Sequence, residues 1–403
     1  MAIKNITIWG VDPRVTTAYG QQCGLLALEL RKLGYTVSIA AIGAKLKDQG
    51  RPWKSIPVRF VGGRGTHGGD VLGPVARQFK ADLVLMLFDS FMMDARAVNA
   101  LTLEGTAVAY WCPVDAFNMA DGGLPLLYQG MLALAPRAVP IAMSRFGERM
   151  FRHDGHDPLY VPHMIDTDVF RPAVTNDEDR EYMRWAHGIP ADAFVITMCA
   201  ANSERFRKNF PGQFDAFRRA RRDNWLLLVH SYCRPDHDGW DLEWLAGKFG
   251  IADQVRFADP DRISKGSYTQ QDLAAWYNLG DLHTQCTLAE GFGIPLIEAQ
   301  ACGLPVVTTD GSAMRELCGT GWIVPGEPIM NPGQRAEWVV PLRALIAQQY
   351  TRAARIKADM PDLAAENSGE ARKFALGYSV PNVMQNYWIP ALKEIDNRRE
   401  AAQ

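Results

Sequence analysis

Closely spaced cysteine pairs are missing from this chain. Its seven cysteines, Cys23, Cys112, Cys199, Cys233, Cys286, Cys302 and Cys318, are scattered and odd in number. That pattern argues against a disulfide framework and against a zinc site, and leaves reduced packing thiols. Long apolar runs are missing too. No segment reaches about 18 uninterrupted apolar residues, so no membrane span is expected. The opening MAIKNITIWGVD holds one lysine and then a strand-length apolar run, too short for the hydrophobic region of a signal peptide, and the expected location is the cytoplasm. Charge of one sign is also lacking: the formal net charge is -2, which excludes a wholly basic nucleic-acid binder while allowing local basic patches. Short-period repeats and low-complexity segments are absent.

What remains is an ordinary globular composition, 47% apolar and 22% charged over 403 residues, long enough for two cores rather than one. Short β-branched runs alternate with amphipathic segments of helical length, the pattern of parallel strands joined by crossover helices. In the first half the strands are expected at Ile3–Trp9, Thr36–Ile42, Asp82–Phe88, Ala107–Trp111 and Pro140–Ser144. A helix runs from about Gln21 to Leu33 with Gly34 as its stop, and LYVPHMIDTDVFRP closes this half. After the acidic VTNDEDREY the pattern restarts at residues 193–202 and continues at 225–231, 254–259, 281–287, 305–309 and 321–325. The expected fold is α/β, two doubly wound Rossmann-like domains over residues 1–172 and 173–380. A terminal helix at 381–403, anchored by Tyr387 and Trp388, caps the second domain or packs back on the first.

In open α/β sheets, ligands bind beyond the carboxyl ends of strands, where helix N-termini present amides and partial positive charge. LAEGFGIPLIEAQACGLPVV suits that location: glycines follow a strand, Pro295 stands near the first turn of a helix, and Glu290 and Glu298 lie seven residues apart. Two turns of helix separate the acids by about 10 Å, the scale of a sugar and its nucleotide ribose. The stretch resembles the motif EGFGxPxxEAxAxGxPVV of the retaining glycosyltransferases of family four, which share the two-domain GT-B fold with glycogen synthase.

The resemblance implies a GT-B enzyme whose domains face a central cleft. Such an enzyme moves a sugar from a nucleotide-diphosphate donor, most often a UDP-sugar, to an acceptor hydroxyl with retention, without a cofactor or metal. It implies Glu290 near the donor sugar's hydroxyls and the amides of Gly291, Phe292, Gly293 and Ile294 near sugar and diphosphate. Glu298 would meet the ribose, and Thr287 stands in place of the family's usual serine. GSAMREL, with Glu316, resembles a GGxxE segment. CAANSERFRKNF supplies the basic turn: Lys208 occupies the lysine position of a GR…KG-like pattern, Arg207 stands beside it, and Asn202 replaces the usual arginine. Arg205 or Arg207 could substitute as the second cation, or either could be a solvated surface charge.

The first half is less specific. Gly20, in TTAYGQQCG, would let a loop approach the phosphates or simply relieve a turn. The family often has a histidine in this domain beside the reacting sugar, and here none stands in the expected setting. Asp115, in YWCPVDAF, and Asp89 each follow a strand and could orient an acceptor hydroxyl or serve as caps. MSRFG and VPHMIDTDVFRP resemble structural segments at the end of the family's first domain. The DTD at 166–168 and DPD at 259–261 imitate a metal motif of another glycosyltransferase fold without its context. The basic run FRRARRDNW reads as a solvated helix end.

The acceptor is open between a saccharide, a lipid-linked or a small molecule. DNA carrying a hydroxymethylated base is a further candidate, because PVDAF…MSRFG…NSERFRKNF looks like glycosyltransferases often encoded by bacteriophages. Residues 1–170 hold 17 basic against 15 acidic side chains, a weak argument for DNA. Alternatives of another class are a sugar-nucleotide epimerase and an inactive nucleotide-sugar-binding module.

Overall fold

The computed structural model describes residues 2–43, 48–61, 68–118, 122–173, 176–203, 206–234, 238–331, 333 and 335–401. Most of VGGRGTHGGD and Arg205 lie outside them.

The chain divides into two compact units. The first comprises residues 1–164, 330–337 and the tail from Val380; the second comprises Ile165–Ile329 and Trp338–Ser379. In the first unit, β1 (Asn5–Val11), β2 (Thr36–Ile42), β3 (Val58–Phe60), β4 (Leu83–Leu87), β5 (Ala107–Cys112), β6 (Val139–Ala142) and β7 (Leu159–Tyr160) form one sheet. Its spatial order is β3-β2-β1-β4-β5-β6-β7, and its pairings are parallel. The apolar runs are continuous rather than alternating because both faces are covered: all five residues of β4 are buried.

The helix after β1, α1 (Ala18–Lys32), starts three residues earlier than the apolar periodicity suggests. Thr17 caps it, its hydroxyl accepting from the Gly20 amide at 3.2 Å. Gly34, at φ +91°, ends it. Sequence periodicity overlooks β3, which has three residues, only one of them buried. That is too little for a period to show.

Trp9, Val84, Tyr110 and Phe151 belong to the core of this unit. The tail joins the same unit: Trp388 is fully buried, meets Trp111 edge-on at 4.9 Å, and is followed by α9 (Ile389–Ala401). Arg398 of that helix pairs with Asp157 at 2.6 Å. In the excursion at 330–337, Ala336 and Glu337 pair antiparallel with Asn118 and Phe117.

The second unit repeats the plan with β8 (Phe194–Cys199), β9 (Trp225–His230), β10 (Val255–Phe257), β11 (Leu282–Gln285), β12 (Val306–Thr309) and β13 (Gly321–Val324). The order is β10-β9-β8-β11-β12-β13, again with parallel pairings. The strand order reverses between β8 and β11, and at such a switch point the loops leaving the two strands diverge and open a crevice at their carboxyl ends. Phe194, Phe214, Leu227 and Tyr350 lie in the core. No described helix is long and apolar enough to cross a membrane.

Candidate active site

At the switch point of the second unit, the loop after β8 carries the basic turn and the loop after β11 carries EGFGIP. The turn is pinned to the second loop by its backbone. Leu288 donates its amide to the Arg207 carbonyl at 2.8 Å, and Asn209, in the left-handed region at φ +51°, donates its side-chain amide to the Cys286 carbonyl at 2.9 Å. Gln213, on α4 (Phe210–Ala220), donates to the Lys208 carbonyl and accepts from the Cys286 amide, each at 3.0 Å. These bonds deliver two cations to one carboxylate. Lys208 Nζ lies 2.7 Å from Glu290 Oε1, and Arg207 Nη1 lies 3.0 Å from Oε2.

All three side chains are largely buried, where charge pairs are screened less than on the surface. Burial pushes the Glu290 carboxyl up, but Lys208 and Arg207 outweigh it and hold the group below the usual glutamate value, helped by the Thr287 hydroxyl. Gln285 reaches Glu290 Oε1 at 3.4 Å, and the Glu290 amide donates to Ser312 Oγ at 3.0 Å. Sequence reasoning missed Gln285 and Ser312. A polar residue at the end of the buried strand LHTQ was the available signal for the first.

Downstream of Glu290, Gly291 and Phe292 are buried and lead to Gly293 at φ +119°, the N-cap position of α6 (Ile294–Ala301). A side chain at Gly293 would be strained by that backbone angle whatever the space around it. Ile294 and Pro295 open the helix, so its first turn faces the same crevice as the cations. Glu298, one turn on, is buried and accepts from the Tyr277 hydroxyl at 3.0 Å. Tyr277 lies on α5 (Gln270–Asn278) and was not singled out from sequence. Burial lifts the Glu298 carboxyl to about 7, Tyr277 opposing only in part.

Other expected residues stand apart from this cluster. The Asn202 side chain donates to the Tyr232 and Trp240 carbonyls at 2.9 and 2.6 Å and accepts from the Trp240 amide at 2.9 Å. It therefore holds a loop, and Arg207 is the second cation on Glu290. Arg218 and Arg219 of the basic run both pair with Asp215, at 2.7 and 2.8 Å. Asp166 and Asp259 each accept backbone amides two and three residues onward, within turns.

In the first unit, Gly20 lies inside α1, where a Cβ would fall on the Val15 carbonyl oxygen, so its loop's close packing accounts for the glycine. Asp89 and Asp115, after β4 and β5, both act on the Tyr128 hydroxyl, whose proton is held mainly by burial and further by these two acids. The structure thus groups Asp89, Asp115 and Tyr128 at the carboxyl end of the first sheet. Ser144 caps α2 (Arg145–His153) through the Gly147 amide at 3.0 Å.

The strand order also reverses in the first unit, between β1 and β4. Residues 194–344 match the family Glycosyl transferases group 1. Among relatives, a D-inositol 3-phosphate glycosyltransferase of Streptomyces bingchenggensis is 36% identical over 205 residues, 47% of this chain and 41% of that protein. One from Geodermatophilus obscurus is 30% identical over 49% of this chain and 42% of that protein. The lipopolysaccharide core biosynthesis mannosyltransferase LpsB of Rhizobium meliloti is 30% identical over 40% and 43%. The chain thus matches less than half the length of these three relatives.

Among solved structures, sucrose-phosphate synthase from Thermosynechococcus elongatus superposes over 99% of this chain and all of that one, with a TM-score of 0.75 at 15% identity. Anabaena Alr3699/HepE in complex with UDP does so over 97% and 100%, with a TM-score of 0.68 at 16% identity. The fold is GT-B. The matched residues 194–344 include the whole Glu290 cluster.

Proposed function

We propose that this protein is a retaining glycosyltransferase that takes a sugar from a nucleotide diphosphate, a UDP-sugar in the first instance. The observation that carries the reading is the Glu290 carboxylate held at 2.7 and 3.0 Å by Lys208 and Arg207 at the switch point. The group 1 match over residues 194–344 supports it, as does the likeness to a fold solved with UDP.

Before substrate arrives, the trio carries one net positive charge. A donor diphosphate entering beside it gives both cations a further anionic partner, while Glu290 accepts hydrogen bonds from hydroxyls of the sugar. In transfer, the bond from the anomeric carbon to the diphosphate oxygen breaks and negative charge grows on the leaving group. Lys208, Arg207 and the first-turn amides of α6 are positioned to stabilise that charge without reorganising. The acceptor oxygen bonds to the same face of the anomeric carbon, and its proton passes to the departing phosphate oxygen. Glu298 anchors the ribose through its hydroxyls. The acceptor is a saccharide, a lipid-linked or a small molecule; the relatives compared above are named for inositol phosphate and for lipopolysaccharide core, none for DNA.

The test is incubation of purified protein with a panel of UDP-, GDP- and ADP-sugars and mixed acceptors, followed by mass measurement of products. Transfer with the wild type, lost in Lys208→Ala and Glu290→Ala, is expected. Sugar-nucleotide conversion without acceptor would point to an epimerase instead.

A further inference from the structure

A second charged cluster lies at the amino ends of the second sheet, away from Glu290. Asp281, immediately before β11, is fully enclosed by three cations: Arg180 at 2.6 Å, Lys357 at 2.6 Å and Arg184 at 2.9 Å. The Val195 amide also donates to it, at 2.8 Å. Its acceptor capacity is therefore filled, and two positive charges in this cluster are left without a counter-charge of their own. Arg184 is buried and bonds the Leu279 and Ala193 carbonyls. Arg180, on α3 (Asp177–Ala186), and Lys357, near the end of α7 (Arg343–Asp359), are only partly covered.

Both partly covered cations line a cavity of about 170 Å³, whose wall also holds Asn367 and Ser368 from α8 (Pro361–Leu376). A neighbouring cavity of about 250 Å³ shares Trp322 and Asn367 with it and adds Arg352, whose guanidinium lies 5.8 Å from the Trp322 ring. Together they reach the lower part of the ~300–1,000 Å³ range of small-ligand pockets. Among the described residues, Asp281 is the only acid lining either cavity. Burial pulls Lys357 below the usual lysine value, Asp281 opposing and Arg184 and Arg180 adding to it.

We infer that these joined cavities form a second binding site, for a small phosphorylated organic molecule, separate from the donor crevice. Its phosphate would pair with Arg180 and Lys357, and its organic part would lie along Trp322 and Arg352. Glu290 and Lys208 sit at the carboxyl ends of the strands, whereas Asp281 and Pro305 precede β11 and β12. The length of a four-residue strand, about 13 Å, therefore separates the two ends, and the sites can be emptied independently.

The experiment is calorimetric titration of the full chain with pyrophosphate, in wild type, Lys208→Ala, Arg180→Gln and Ala364→Trp. Ala364 lines the first cavity and carries no charge or side-chain hydrogen bond of its own, so its replacement fills the space without unpairing a charge. Binding is expected to survive in Lys208→Ala, to weaken roughly tenfold or more in Arg180→Gln, and to lose one equivalent in Ala364→Trp. The inference is overturned if Ala364→Trp and Arg180→Gln both bind pyrophosphate as the wild type does, or if Lys208→Ala alone abolishes binding. Either result leaves the glycosyltransferase reading to its own assay.

Discussion

Arg207 and Asn202 show how one residue's partners decide its role. The family pattern points to position 202 for the second cation, yet Asn202 is tied to the backbone of Tyr232 and Trp240, and the guanidinium on Glu290 belongs to Arg207. Arg207→Ala is therefore expected to lower transfer by roughly 10²-fold, within the range for removing one stabilising donor, with a small change in melting temperature. Asn202→Ala should behave oppositely. It leaves two carbonyls short of a donor, at a cost of about 1–3 kcal/mol, while kcat/KM with donor sugar changes little. Thermal melts and initial rates on both variants separate the roles, and the reverse ranking would reject the assignment.

Glu298 makes a second residue-scale case. Its carboxyl titrates near 7 when folded and near 4.5 when not. An acid whose folded value is raised favours folding in its protonated form, so its contribution is complete below about pH 4.5 and is lost as pH rises through 7. The span is on the order of 3 kcal/mol. Glu298→Gln should flatten the fall in urea stability between pH 5 and pH 8. A variant whose stability falls as steeply as the wild type's would exclude Glu298 as the source.

At the scale of elements, the site depends on two unusual backbone positions. Gly293 adopts φ +119° where α6 begins, and Asn209 adopts φ +51° where α4 begins. Gly293→Ala is expected to destabilise by about 1–2 kcal/mol and to weaken nucleotide binding, since it tilts the first turn of α6 away from the cations. Measuring UDP affinity alongside urea stability checks this; unchanged affinity would mean that the turn contributes no amides.

Much of this element pattern was readable beforehand. Every strand anticipated from apolar runs in the second unit is present within a few residues, because strands buried on both faces carry an unbroken signal. The short edge strand β3 was not readable, since three residues with one buried cannot show a period. EGFGIP was readable because glycine and proline mark backbone needs locally. Tyr277 beneath Glu298 was not, since the two lie on different helices and only packing brings them together.

For the whole molecule, the tail is the instructive segment. Trp388 is fully buried and packs edge-on against Trp111 of β5, more than 270 residues earlier in the chain. Trp388→Ala should cost the first unit about 3–5 kcal/mol. Hydrogen exchange followed by mass spectrometry is expected to accelerate in β4, β5 and α9 while β8 and β11 stay protected. Uniform acceleration through both units would show that the cores are not separately stabilised.

By itself, the sequence determined two parallel α/β sheets, the glycine-rich helix start and the acids and lysine that follow strand ends, because these features reside in local periodicity and turn chemistry. Only the tertiary structure decided which cation meets Glu290, that Asn202 serves a loop, that Tyr277 underlies Glu298 and that Asp281 gathers three cations. Each of those pairings joins residues that are distant in sequence, and a buried charge or amide takes whichever partner packing leaves within hydrogen-bond reach.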